Sequence, residues 1–258
     1  MQPLRRMLLI LLLSAAADAG AATLLVANKS EATVSLFDLP GAELRATLPT
    51  GAGPHEVAVS PDGRRAVVTD YGTGGSPGES LTLVDIADAR VLATVPLARD
   101  SRPHGVEWLD DRRVVVTAEG IRSLLVVDVD RLAVEKTIPV DQAAGHMVAV
   151  SADRGRAFVA NIGDGTVSVL DLIAARKLTD LQAGEGSEGI ALAGSGAELW
   201  VSNRAAGTVS VFSTGDLGKI ADLPLPGFPI RVEADDARGL VYVTLPEADA
   251  LAVFDRER

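Results

Sequence analysis

The chain contains three histidines, His55, His104 and His146, and all three occupy one place in a repeating pattern. Each stands at the start of a short alternating apolar run: Pro54-His55-Glu56-Val57-Ala58-Val59, Pro103-His104-Gly105-Val106 and Gly145-His146-Met147-Val148-Ala149-Val150. Glu188 holds the fourth equivalent position, and the fifth falls at Phe228-Pro229. Imidazole titrates near neutrality and ligates first-row metals. Three of them with a carboxylate could hold a divalent ion, move protons or bind an anion. The metal reading rests on His55, His104 and His146 as ligands. It competes with a plainer one, in which duplication of the repeat left each imidazole capping its own turn.

A second series ends the strand that follows: Asn28, Asp70, Ala118, Asn161, Asn203 and Leu245. Tyr71, Glu119 and Arg204 come directly after three of its members. Asp70, Tyr71, Glu119, Asn161, Asn203 and Arg204 could therefore flank the histidines. Asn also bonds local backbone in turns, and that reading is favoured for Asn28, Asn161 and Asn203. Arg204 and Arg231 would either bind an oxyanion in bidentate fashion or pair with a neighbouring carboxylate. A third series, Asp38, Asp85, Asp128, Asp171 and Asp255, closes strands before turns, where a carboxylate accepts local N–H groups. No nucleophile elbow, phosphate loop, HExxH, CxxCH or EF-hand pattern is present.

These residues can meet only if the repeat closes around an axis. Six units recur, and their strand ends at Asp38, Asp85, Asp128, Asp171, Ser213 and Asp255 are spaced 47, 43, 43, 42 and 42 residues apart. Val, Thr and Ile alternate with period two between Gly, Asp and Asn turn clusters, which marks strands. A strand-only period of roughly 40–45 residues is the signature of a β-propeller, whose innermost strands ring a central channel. The expected fold is all-β, with four-stranded blades and six visible units. Unit one begins at its second strand and unit six stops before a fourth, so the terminal units are incomplete and the sequence favours a ring that continues into another blade. The Gly72–Ser80 insertion reads as an enlarged hairpin loop.

Arg5 and Arg6, the apolar run Met7 to Leu13, and the small residues Ala17 to Ala22 have the layout of a cleavable signal peptide over 1–22. Residues 23–258 are then a single propeller domain, exported to the periplasm or secreted. The run is too short to span a bilayer and no cysteine stands near it for a lipid anchor, so no membrane attachment is expected. With no cysteine anywhere, stability must come from packing. Removing Arg5, Arg6 and Asp18 takes the formal charge from −11 to −12, which disfavours a phosphate backbone as partner. The nine Phe, Trp and Tyr residues are scattered, leaving few platforms for base stacking.

Segments such as Pro54-His55-Glu56-Val57-Ala58-Val59-Ser60-Pro61-Asp62-Gly63, and Phe158-Val159-Ala160-Asn161 followed by Thr166-Val167-Ser168-Val169-Leu170-Asp171, resemble the YVTN-repeat, YncE-like β-propellers. The likeness runs over essentially all of 23–258. It implies a ring that typically has seven blades, related in repeat style to the haem d1 domain of nitrite reductases, and it implies no agreed activity. The leading expectation is a monomeric binding or scaffolding propeller with a polar His-lined site at one channel mouth. Its cofactor is left unassigned, a divalent metal ion being one option, and its ligand is a small anion, a metal ion or a partner protein. The competing expectation is a metal-assisted lyase or hydrolase using His55, His104, His146 and Glu188. A third, by analogy, is an accessory protein of a periplasmic redox system.

Overall fold

The computed structural model describes residues 22–256, so the expected signal peptide lies outside the described residues except for Ala22. The described residues form six antiparallel sheets, blades 1 to 6, over 23–49, 54–96, 103–139, 145–182, 187–224 and 232–255. Blades 2 to 5 have four strands each, and blades 1 and 6 have three. Thr23–Asn28 of blade 1 matches the second strand of the other blades, and blade 6 closes on the third, Ala250–Asp255, as the register predicts. The Gly72–Ser80 insertion is a hairpin extension, with Gly72 paired to Pro77. No helix among the described residues is long and apolar enough to cross a membrane.

The middle strands of blades 2 to 5 are buried on both faces, because each of these blades is packed between two others. Val114 to Ala118 and Ala157 to Asn161 are buried throughout. Five apolar clusters join the blades pairwise from blade 1 to blade 6. Between blades 2 and 3, Val67, Leu81 and Val95 meet Trp108, Val116 and Leu125, and the Trp108 indole also donates to the Ala58 carbonyl at 3.0 Å. A fully buried Val or Leu contributes about 1.5–3 kcal/mol, so these seams hold the ring together without disulfides. Leu24 and Val26 on blade 1 and Leu251 and Val253 on blade 6 are exposed.

The strand-end aspartates serve the turns. Asp171 Oδ1 accepts the N–H groups of Ile173 and Ala174, and Asp128 Oδ1 those of Asp130 and Arg131. This local use explains why Asp recurs in nearly every unit.

Candidate functional site

The innermost strands of blades 2 to 5 are Pro54–Val59, Pro103–Trp108, Gly145–Val150 and Ser187–Ala193. Each carries a register break at the same place, between Pro54 and Val57, Pro103 and Val106, Gly145 and Val148, and Ser187 and Ile190. A bulge turns a side chain out of the pleat, and here it frees His55, His104, His146 and Glu188 from the ladder. A hydroxyl on the second strand fixes the bulges of blades 2, 3 and 5, through Thr69, Thr117 and Ser202, while blade 4 has Ala160 at that place. Thr117 Oγ1 accepts the Gly105 N–H at 2.8 Å and donates to the His146 carbonyl of the next blade at 2.6 Å. Ser202 does the same for Gly189 and the Ile230 carbonyl, at 2.9 and 2.6 Å.

Glycine follows His104 for a packing reason. A Cβ on Gly105 would stand 2.6 Å from the His146 carbonyl oxygen and 2.9 Å from Met147 Cα. Its absence lets blades 3 and 4 approach until the His104 and His146 ring centroids are 3.5 Å apart. His55 lies on the other side of His104 at 4.1 Å, and Tyr71 meets both of these rings edge-on at 5.2 and 5.4 Å. Imidazoles from three blades therefore form one continuous stack at the channel mouth.

A chain of polar contacts runs beside the stack. The Tyr71 hydroxyl donates to Glu119 Oε2 at 2.8 Å, and Glu119 Oε1 is 2.6 Å from His146 Nδ1. His146 Nε2 is 3.5 Å from Glu188 Oε1, and Arg204 donates to Glu188 Oε2 at 2.6 Å. On the far side, His55 Nδ1 lies 3.2 Å from Glu56 Oε1, and the Arg231 guanidinium reaches the same oxygen from blade 6. His104 differs from its neighbours: it is 0% exposed, and neither of its ring nitrogens has a hydrogen-bond partner.

Charge follows from this geometry. Burial, followed by His146, His55, Arg231 and Lys29, holds the His104 imidazole neutral to well below the usual histidine range. Burial also acts against a charged His146, but its bonds to Glu119 and Glu188 outweigh it and raise its pKa. Burial raises Glu188, while His146 and Arg204 more than reverse this and keep it ionised. The stack thus joins a neutral ring to one that favours the cation, a stable pairing where two cations would repel. Below it the channel forms a cavity of about 550 Å3 whose walls include Glu56, Glu107, Glu233 and Arg231. Burial pushes Glu107 up to about 7, against its contacts with Val150 and Arg154, and raises Glu233 as well.

The structure brings His55, His104, His146, Glu188, Tyr71, Glu119, Arg204 and Arg231 together, and it places the other expected residues elsewhere. Asp70 is turned into its own blade, where it accepts from the Gly51 N–H, Ser80 and Thr82. Asn161 and Asn203 likewise donate to Thr166 and Ser168, and to Thr208 and Ser210. These three are pins between strands and do not flank the stack. The register of blade 6 also needs correction. Thr244 accepts the Arg231 N–H as Thr117 accepts that of Gly105, so Ile230, and not Phe228-Pro229, stands where the histidines stand. The single centre of three histidines divides too. Among the described residues, two overlapping sets have ligand atoms within 4.8 Å of one another, His55–Glu56–His104 and His104–Glu119–His146, and neither includes all three imidazoles.

Lys29, Glu56 and Arg102 also belong to the site, beyond the residues expected from the sequence. Lys29 Nζ lies 4.8 Å and Arg102 Cζ 4.9 Å from the Tyr71 ring centroid, where both cations can meet its negative face. Lys29 follows Asn28 just as Tyr71 follows Asp70, so the repeat register could have found it. Glu56 matches the register position of Arg231, its partner across the channel.

The fold and the channel-mouth site define an all-β propeller whose inner strands present a polar cluster. A sequence model of the cytochrome D1 heme domain family matches residues 108–257, and the chain belongs to that family. Among solved structures it is similar to Kuenenia stuttgartiensis hydrazine synthase, with 19% identity and a TM-score of 0.79 over 91% of this chain and 74% of that one. It is also similar to the dihydro-heme d1 dehydrogenase NirN in complex with DHE, with 18% identity and a TM-score of 0.71. That match covers 91% of this chain and 52% of the other, so this chain spans about half of that protein. A functionally unknown protein from Desulfotomaculum acetoxidans DSM 771 matches at 15% identity and a TM-score of 0.73, over 90% of this chain and 78% of that one. At such identities the likeness shows the fold. No curated protein matches the sequence.

The family name raises haem as a cofactor, and neither His104 nor His146 is placed to serve as its axial ligand. A haem iron needs a ligand nitrogen accessible from the face of the macrocycle. His104, whose two ring nitrogens have no partner, is enclosed by the rings of His55, His146 and Tyr71. Both His146 nitrogens face carboxylates, and the channel below sets Glu56, Glu107 and Glu233 against one arginine, which repels a haem's own carboxylates.

Proposed function

We propose that this protein is an exported binding propeller and that its ligand is held at the His-lined mouth of the channel. The observation that carries this reading is His104, a fully buried imidazole with two unpartnered nitrogens. A buried polar atom without a partner costs about 1–3 kcal/mol, so a ligand that satisfies it binds with that much in its favour. Support also comes from the convergence of Lys29, Arg102, Arg204 and Arg231 with Glu56, Glu119 and Glu188 on one rim, a charge pattern suited to a small polar ligand. Export to the periplasm rests on the leader-like residues 1–22, and the YVTN-like style of the repeat is consistent with it. The protein acts as a monomer and without nucleic acid, in keeping with its acidic charge.

Thermal melting of the mature protein against divalent ions and small oxyanions tests the reading. At least one of them raises the melting temperature of the parent by several degrees and leaves a His104→Asn variant unmoved. No shift with any of them, or equal shifts in both proteins, contradicts it.

A further inference from the structure

The two ligand sets that share His104 are not equivalent. In the His55–Glu56–His104 set, His55 Nδ1 and the Arg231 guanidinium already occupy the same Glu56 oxygen. An ion on that oxygen would have to displace a guanidinium. In the His104–Glu119–His146 set the far atom of two ligands is held from behind. Tyr71 donates to Glu119 Oε2, and Glu188, itself anchored by Arg204, faces His146 Nε2. Partners of this kind orient the ligands of protein metal sites and fix the histidine tautomer. The near atoms, Glu119 Oε1 and His146 Nδ1, lie 2.6 Å apart beside a buried ring whose nitrogens have no partner. An ion bonded to each at about 2 Å opens that pair by less than about 1 Å.

The geometry points to a single site for a divalent first-row transition metal, formed by His146 Nδ1, Glu119 Oε1 and a ring nitrogen of His104. This rests on the mouth being the binding site, and it names the ligand. Two imidazoles and one carboxylate are a donor set used for zinc and for iron(II), and they leave coordination positions open to water or a further ligand. On binding, the proton between His146 Nδ1 and Glu119 leaves to solvent, and the ion takes its place.

The mature full-length chain, stripped with a chelator, is titrated with Co2+ and Zn2+. Bound metal is counted after desalting, and Co2+ coordination is read from its visible absorption. One ion binds per chain. Glu119→Gln, which keeps the side-chain shape, weakens binding by at least about 100-fold, and Tyr71→Phe and Glu188→Gln weaken it about 10- to 100-fold, the range for outer partners. His55→Ala, which removes a ring of the stack and no ligand, weakens binding less than Glu119→Gln does, and Asp88→Asn on the exposed turn between the third and fourth strands of blade 2 stays within about three-fold of the parent. Far-UV spectra and melts confirm that each variant is folded. The inference is overturned if the parent holds no stoichiometric ion, if folded Glu119→Gln retains it, or if His55→Ala loses it as fully. Inorganic phosphate separates the two readings: no metal binding but a His104-dependent phosphate shift removes the metal and leaves the binding mouth. Neither metal nor phosphate binding removes both.

Discussion

His104 and His146, from adjacent blades, stack with their ring centroids 3.5 Å apart, yet their electrostatic states are opposite. His146 is flanked by two carboxylates and favours its cation. His104 has no polar partner and stays neutral. The asymmetry comes from the loops, because Glu119 lies at the end of blade 3's second strand and reaches the histidine of the blade beyond.

The raised pKa of His146 gives a stability effect of definite sign. Its bond to Glu119 stabilises fully below the unfolded value near 6.5 and is lost as pH rises through the elevated folded value. Glu119→Gln therefore costs about 2 kcal/mol at pH 6, in the range for a buried charged hydrogen bond, and less at pH 9. Urea denaturation at the two pH values measures the difference.

Glu107 behaves in the opposite sense to most carboxylates. Its pKa rises to about 7 in the folded state, so the stability it lends is present below 4.5 and is lost between there and about pH 7. Glu107→Gln has no carboxyl to ionise. Its melting temperature exceeds that of the parent at pH 8 and converges with it at pH 5.

Gly105→Ala tests the packing that creates the stack. The new Cβ would meet the His146 carbonyl at 2.6 Å, forcing blades 3 and 4 apart at a cost of about 1–3 kcal/mol. Gly74→Ala, with open space around it, serves as the control and melts with the parent. Only Gly105→Ala should also lose the ligand-induced melting shift.

Asp70 marks the limit of a reading based on register alone. Asn28, Asn161 and Asn203 occupy the same place and pin their own third strands through Nδ2, while Asp70 does so by accepting. Asp70→Asn is tolerated, because the Ser80 and Thr82 hydroxyls can reverse their roles. Asp70→Ala loses about 1–3 kcal/mol in denaturant titrations, and neither change alters the ligand response.

The repeat made the architecture legible, since a period of 42 to 47 residues with alternating Val and Thr admits few other folds. It also placed the three histidines at one mouth, because equivalent positions on adjacent inner strands must converge. Ring contacts, by contrast, depend on a one-residue bulge and on the missing Cβ of Gly105, and a strand pattern encodes neither. Nor does register show which way a side chain turns. Asp70 and Tyr71 are neighbours in sequence, yet one points into its blade and the other onto the stack. Lys29 was within reach of the same ruler, and the Glu56–Arg231 contact across 175 residues was not.

With three histidines in the chain, the imidazole 15N spectrum of the labelled mature protein reads the site directly. His146 is expected to hold both ring protons to a higher pH than an ordinary histidine, and His104 to keep one neutral form well into the acid range. A ligand that raises the melting temperature moves the His104 resonances first. His104 and His146 titrating together in the ordinary histidine range, with His104 unmoved by a stabilising ligand, is the result that contradicts this arrangement.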